Sequence, residues 1–301
     1  PQAKGLFHGA ISQSGGSFGP TRKTTFPGEN MKTLKVAEEE GLEYAQMLGV
    51  SSVEELRKID AEKLPLGMGM GGSWPIVDGY VIPEDQYKLY EAVEYNDVPV
   101  LIGYNSDEGL SFPSGRTPED YISSVKNRFG PFADELIEAY PVGENSVGRS
   151  ARNLMRDAAF GWHTWSWARL QAQTGKSEVF LYYFDQHPEY PEDSPQFDHG
   201  TPHGVDVPYV FMNLDPSHDG TTKSDLEVSD IMGTYWTNFA KYGHPNGEGV
   251  PEWQAFSETN PLVMYLGPSI SLGPEPDESS LKVMDKYFEW RRSSEGSAWA
   301  N

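Results

Sequence analysis

Two short segments hold the side chains best suited to chemistry. Asn105-Ser-Asp-Glu108-Gly109 offers a carboxylate beside a glycine, and Thr201-Pro-His203-Gly-Val-Asp206 offers an imidazole beside another. Each follows an apolar run that reads as a buried strand, so each side chain would be presented from a loop fixed at its root. A carboxylate can hold an imidazole in one tautomer and stabilise its charged form; the imidazole can then take a proton from a hydroxyl and return it to a leaving group. From spacing alone, Glu108 reads first as part of a surface Asp-Glu-Gly turn, with Asp107 as a rival acid. Seven histidines compete for the second role.

The other candidates are weaker. His199, His203, Asp198 and Asp206 contain metal-ligating types, but Gly200 and Pro202 break the helix that would align two histidines four residues apart. Gly15-Gly-Ser17-Phe-Gly19 matches G-x-S-x-G literally. A nucleophile elbow needs a strand running straight into a helix, whereas Pro20-Thr-Arg-Lys follows Ser17, so a glycine-rich turn is the better reading. Phe160-Gly-Trp162-His-Thr-Trp165-Ser-Trp167 reads first as core packing, with one or two rings left to wall an apolar pocket opposite Met68 and Met70. No phosphate-cradling loop, dinucleotide fingerprint or metal-ligand cluster of suitable spacing is present, and no cofactor is implied.

Composition narrows the class. The chain has 301 residues, 37% apolar and 13% aromatic, enough for a sizeable core. With 45 acidic against 23 basic residues the formal charge is −22, a surface that repels phosphate backbones, so nucleic acid is not the expected partner. No apolar run reaches the roughly 18–20 residues of a membrane span. There is no cysteine, hence no disulfide, thiolate metal site or cysteine nucleophile; compartment and oligomeric state are not legible.

The elements that must position the two loops follow from periodicity. His8–Ser14, Val98–Tyr104 and Glu178–Phe184 read as strands, the last two with the unbroken apolar pattern of a parallel sheet covered on both faces. Helical patterns run over 31–48, 51–59, 117–128, 131–140 and 147–173, with a flexible glycine-methionine loop at 67–72. Ser224-x-x-Glu227 predicts a capping box, opening a helix whose stripe is Val228, Ile231, Met232, Tyr235, Trp236 and Phe239, stopped by Gly243 and Pro245. A hairpin at 262–266 and 270–272 and a closing helix over 281–292 complete an α/β chain.

These segments, in this order, resemble the type-B carboxylesterase and cholinesterase family of α/β-hydrolases. Ala3-Lys-Gly-Leu-Phe-His8 through Ala10-Ile-Ser-Gln-Ser-Gly15 is similar to the strand after that family's nucleophile helix. Pro75-Ile-Val-Asp-Gly79 with Ile82-Pro83 is similar to its mid-chain signature, 98–109 to the strand and loop of its acid, and 203–211 to the loop of its histidine. Met232–Gly243, Pro245-Asn-Gly247 and Pro251-x-Trp253 are similar to its carboxyl-terminal helix and tail. The resemblance implies an α/β-hydrolase fold, a mostly parallel central sheet with helices on both faces, and a serine esterase acting on small-molecule carboxylic esters. It assigns Glu108 as acid and His203 as base; Ser14, at the end of the strand beside the nucleophile strand, reads either as a serine bonded to backbone or as a neighbour whose hydroxyl could bond Glu108. The family's serine elbow and oxyanion glycines precede the matched region, and the chain opens at Pro1 without Met. Residues 1–301 are therefore expected to form a single partial domain whose amino-terminal strands are missing and whose nucleophile and oxyanion hole lie upstream. The alternative is a non-catalytic cholinesterase-like binding or adhesion module.

Overall fold

The runs Val-Leu-Ile-Gly-Tyr-Asn and Val-Phe-Leu-Tyr-Tyr-Phe have no polar side to turn to water, so each needs cover on both faces. The computed structural model describes residues 1–21, 31–64, 74–112, 117–143, 147–218 and 220–299. Its strands are β1 (Ala10–Gln13), β2 (Lys32–Thr33), β3 (Ile76–Val77), β4 (Val100–Asn105), β5 (Val179–Phe184), β6 (Leu262–Leu266) and β7 (Ser271–Pro274). Five of them form a sheet in the order β1-β4-β5-β6-β7, parallel except where β7 turns back against β6. The two apolar runs are β4 and β5 at its middle, buried at every position. β2 and β3 make a separate parallel pair.

The helices are α1 (Leu34–Met47), α2 (Val53–Leu56), α3 (Gln86–Glu91), α4 (Pro118–Phe129), α5 (Ala133–Ala139), α6 (Val147–Arg156), α7 (Trp162–Thr174), α8 (Val207–Val210), α9 (Lys223–Tyr242), α10 (Glu278–Arg292) and α11 (Ser294–Trp299). They cover both faces. Leu101, Phe180, Tyr182, Phe184, Met264 and Leu266 pack against Val228, Met232, Tyr235, Trp236 and Phe239 of α9. Val100, Ile102, Tyr104, Val179 and Leu181 point the other way, where Ala168 of α7 joins them. Neighbours alternate between faces because a strand's side chains have a period of two. A third cluster, built from α4 to α7 with α10, extends the second layer. Truncating a wholly buried Leu181 to Ala would cost about 2–5 kcal/mol.

Several expectations are corrected. The pattern over 147–173 is two helices joined by a π-helical turn, Asp157–Gly161. The capping box of α9 sits two residues earlier than Ser224 and Glu227. Thr222 is the N-cap, accepting from the Asp225 amide at 3.2 Å, while the Asp225 carboxylate accepts from the Thr222 amide at 2.7 Å. The earlier box wins because Tyr209 and Gln186 also donate to that carboxylate, at 2.6 and 2.8 Å. On α1 the expected stripe is mostly open: Ala45 is buried, whereas Leu34 and Leu42 are exposed among the described residues. The closing helix is followed by the short α11, which sequence periodicity does not announce. The loop at 67–72, with Met68 and Met70, lies outside the described residues. Among the described residues no helix is long and apolar enough to cross a membrane.

Candidate active site

In a parallel sheet the carboxyl ends of neighbouring strands share one edge, and the loops leaving them meet there. The register Gln13↔Gly103 and Asn105↔Phe184 brings the ends of β1, β4 and β5 together. Ser14 follows β1, Glu108 follows β4, and His203 lies in the long segment after β5.

Glu108 opens a tight 3₁₀ turn and is fully buried. Its Oε1 accepts from the Asn105 amide at 2.9 Å and from the Ser14 hydroxyl. Its Oε2 meets His203 Nδ1 at 2.6 Å. The carboxylate can only accept there, so in the neutral imidazole the proton is on Nδ1 and Nε2 keeps its lone pair. Gly109 explains how the turn fits: a Cβ at that position would collide with the carbonyl oxygen of Arg152 in α6. Ser14 is held at φ 57, the left-handed region that costs a non-glycine residue energy. Its amide donates to Gly103 O at 2.8 Å and its hydroxyl to Glu108, which fixes both ends of the residue.

The histidine segment is gripped by the three residues before Glu108. Asn105 Nδ2 donates to Pro202 O at 2.8 Å, Ser106 Oγ accepts from the Thr201 amide at 2.8 Å, and Asp107 Oδ2 accepts from the Gly200 amide at 3.0 Å. Gly200 permits this approach, since a Cβ there would stand 2.5 Å from Ser106 Oγ. Buried Asp107 is itself held by Arg152, whose Nε reaches both carboxylate oxygens at 3.1 Å while an Nη group reaches Asp198 at 3.1 Å. Below the histidine, buried Asp206 accepts from Gln13 Nε2 at 2.6 Å and Asn105 Nδ2 at 3.3 Å, tying the loop to β1.

The His203 side chain is 47% exposed, with one edge on a buried carboxylate. Its pKa stands above the ordinary imidazole value. The hydrogen bond to Glu108 is the largest cause, partial burial opposes it, and the charges of Glu108 and Asp206 add to it. One face of the ring stacks on Phe160, centroids 5.0 Å apart.

The rival arrangements do not assemble. Asp198 goes to Arg152, Asp206 to Gln13, and His203 to Glu108, while His199 lies edge-on to Tyr190. Among the described residues no group of three or more His, Asp or Glu could hold a metal. Ser17 lies in an irregular stretch with no helix after it through Thr21, so the strand-to-helix elbow is not formed there. Of the aromatic run, Trp162 and Trp165 are core, and Phe160 alone turns to the histidine.

Sequence reasoning missed Arg152, the clamping roles of Asn105, Ser106 and Asp107, and the contact of Phe160. One signal was available: Arg149, Arg152 and Arg156 recur at three- and four-residue spacing in an acidic chain, which marks a basic face with something to hold.

The sequence model of the carboxylesterase family matches residues 1–284. The chain belongs to the carboxylesterase family. Para-nitrobenzyl esterase of Bacillus subtilis (strain 168) is 27% identical over 300 residues, covering 92% of this chain and 56% of that protein. Neuroligin-2 of Rattus norvegicus is 30% identical over 293 residues, covering 86% of this chain and 34% of that one. Among solved structures, a PNB esterase superposes with a TM-score of 0.71 at 26% identity, covering 94% of this chain and 59% of its own. This carboxylesterase-family chain has the α/β-hydrolase fold, and it spans about a third to three-fifths of the length of these relatives.

Proposed function

We propose that Glu108 and His203 are the acid and base of a Ser-Glu-His relay that hydrolyses carboxylic esters of small molecules. The observation that carries this reading is the 2.6 Å contact of His203 Nδ1 with a wholly buried carboxylate, which leaves Nε2 as an acceptor. In the proposed cycle a serine hydroxyl gives its proton to Nε2 as it attacks the ester carbonyl. Glu108 stabilises the imidazolium, and the proton then passes to the departing alcohol. Ser14 and Asn105 hold the carboxylate in place. Among the described residues no serine sits where a strand runs straight into an α-helix, so the reading assigns the nucleophile and the oxyanion donors to residues outside this chain. It treats 1–301 as one partial α/β-hydrolase domain.

A polypeptide that carries these residues together with a Gly-x-Ser-x-Gly elbow is expected to hydrolyse a short p-nitrophenyl ester. His203→Ala and Glu108→Ala should each cut kcat by several orders of magnitude. Undiminished turnover in either variant overturns the assignment. Rapid hydrolysis by the 301-residue chain alone overturns the external nucleophile. A second reading, a non-catalytic binding or adhesion module, is supported by the neuroligin matches. The acid–imidazole pair is what the first reading requires, and the residue at the elbow's serine position in the longer polypeptide decides between the two: serine favours the hydrolase, another residue the binding module.

A further inference from the structure

We propose that Phe160 is a positioning residue for His203: the π-helical turn Asp157–Gly161 carries its ring against one face of the imidazole and fixes the plane that the Glu108 hydrogen bond leaves free. The inference rests on the reading of His203 as a proton carrier. A single bond at Nδ1 fixes one edge of the imidazole but not rotation about the Nδ1–Oε2 line, and that rotation swings Nε2 through an arc. The second constraint is the Phe160 ring, 5.0 Å away with 29° between planes, within the range of offset stacking. Phe112, four residues beyond Glu108, contacts Phe160 in turn at 6.1 Å.

Phe160 lies inside the irregular turn that joins α6 to α7. A π turn inserts one residue into the register and so moves the side chains after it by roughly 100° about the axis. The turn stands on a rigid base. Arg156 Nε and Nη2 donate to Asp157 at 2.7 and 3.0 Å, and Tyr140 OH donates to the same carboxylate at 2.7 Å. Gly161 leaves room for it, since a Cβ there would stand 2.8 Å from Asp157 Oδ1. His163 closes the far side, its Nδ1 accepting from the Phe18 amide at 2.9 Å and its Nε2 donating to Ala158 O at 3.2 Å.

The test is an NMR titration of the ¹⁵N-labelled His203 ring in wild type, Phe160→Ala, Phe160→Tyr and Phe160→Leu, with Glu108→Gln as control. The titratable groups that act on this ring are Glu108 and Asp206. Two roles for Phe160 predict opposite signs. If the phenyl ring only shields the imidazole from water, its removal relieves desolvation and the imidazole pKa rises. If it aligns the bond to Glu108, its removal weakens the largest cause of the upward shift, and the pKa falls toward 6.5. The expected result is a fall in Phe160→Ala, with the Nδ1 proton exchanging with water roughly tenfold faster, as losing about one net hydrogen bond implies. Phe160→Tyr restores both; Phe160→Leu, which has bulk but no plane, restores neither. A rise or no change in Phe160→Ala while Glu108→Gln lowers the pKa overturns the proposal, as does full rescue by leucine. Should the alanine variant not fold, the contrast between Tyr and Leu decides the same question. Failure of the esterase reading looks different: the ring behaves as expected, and the longer polypeptide leaves the p-nitrophenyl ester intact.

Discussion

Glu275, just after β7, gives a prediction whose size follows from its surroundings. The residue is 6% exposed; its Oε1 accepts from Tyr104 OH at 2.6 Å, and among the described residues its buried Oε2 has no hydrogen-bond partner. Burial pushes its pKa from 4.5 up to about 8; Asp157 and Asp277 add to this, while the Tyr104 bond and Arg156 oppose it. A carboxyl whose pKa is raised on folding favours the native state fully below its unfolded value, and that advantage fades as pH climbs to the folded value. Between 4.5 and about 8 the native state must therefore hold a proton the unfolded chain releases. The cost is about 3 kcal/mol at pH 7, approaching about 5 kcal/mol by pH 9. Glu275→Gln copies the neutral carboxyl in shape and still accepts from Tyr104, so it removes the pH-dependent part alone. Thermal melts by circular dichroism at pH 4, 5.5, 7 and 8.5 should show the variant level with wild type at the acid end. At pH 7 it should melt higher by about 6 °C, taking about 2 °C per kcal/mol. A difference that stays flat across the series, or that turns against the variant as pH rises, refutes the burial argument.

Further expectations concern the site. Arg152→Ala leaves Asp107 charged, buried and without its ion pair, and should cost about 3–5 kcal/mol in urea unfolding; Asp107→Asn added to it should return part of that loss. Gly109→Ala drives a methyl into the Arg152 carbonyl and should destabilise by at least as much as an overpacked core site, about 1–3 kcal/mol by the same assay. Thr222→Ala removes the cap of α9 and should lower stability by about 1 kcal/mol, with the fold otherwise retained by circular dichroism. Glu108→Gln removes the main cause of the raised His203 pKa, so the ring should titrate closer to 6.5 by NMR. Because that raised pKa stabilises the fold below 6.5 and the benefit is lost as pH rises through the folded value, the variant's deficit should be largest on the acid side.

What the sequence determined by itself was whatever depends on neighbours along the chain. The nearly continuous apolar runs of β4 and β5 carry the pattern of central strands, and the stripe of α9 and the stop at Gly243 follow from a period of 3.6 and one left-handed glycine. The order of these segments was enough to suggest the family and to single out Glu108, His203 and Ser14 as residues to watch. Other features were decided by tertiary structure because the interacting atoms lie far apart in sequence. Thr222 outcompeted Ser224 as the cap once Tyr209 and Gln186 donated to Asp225. The π turn inside 147–173 leaves no break in an apolar pattern, since one inserted residue shifts a periodicity without abolishing it. The site shows the same division. A motif can nominate an acid and a histidine, but only the parallel register of β1, β4 and β5 brings their loops to one edge. There, burial turns a common Asp-Glu-Gly turn into a carboxylate with a single imidazole partner.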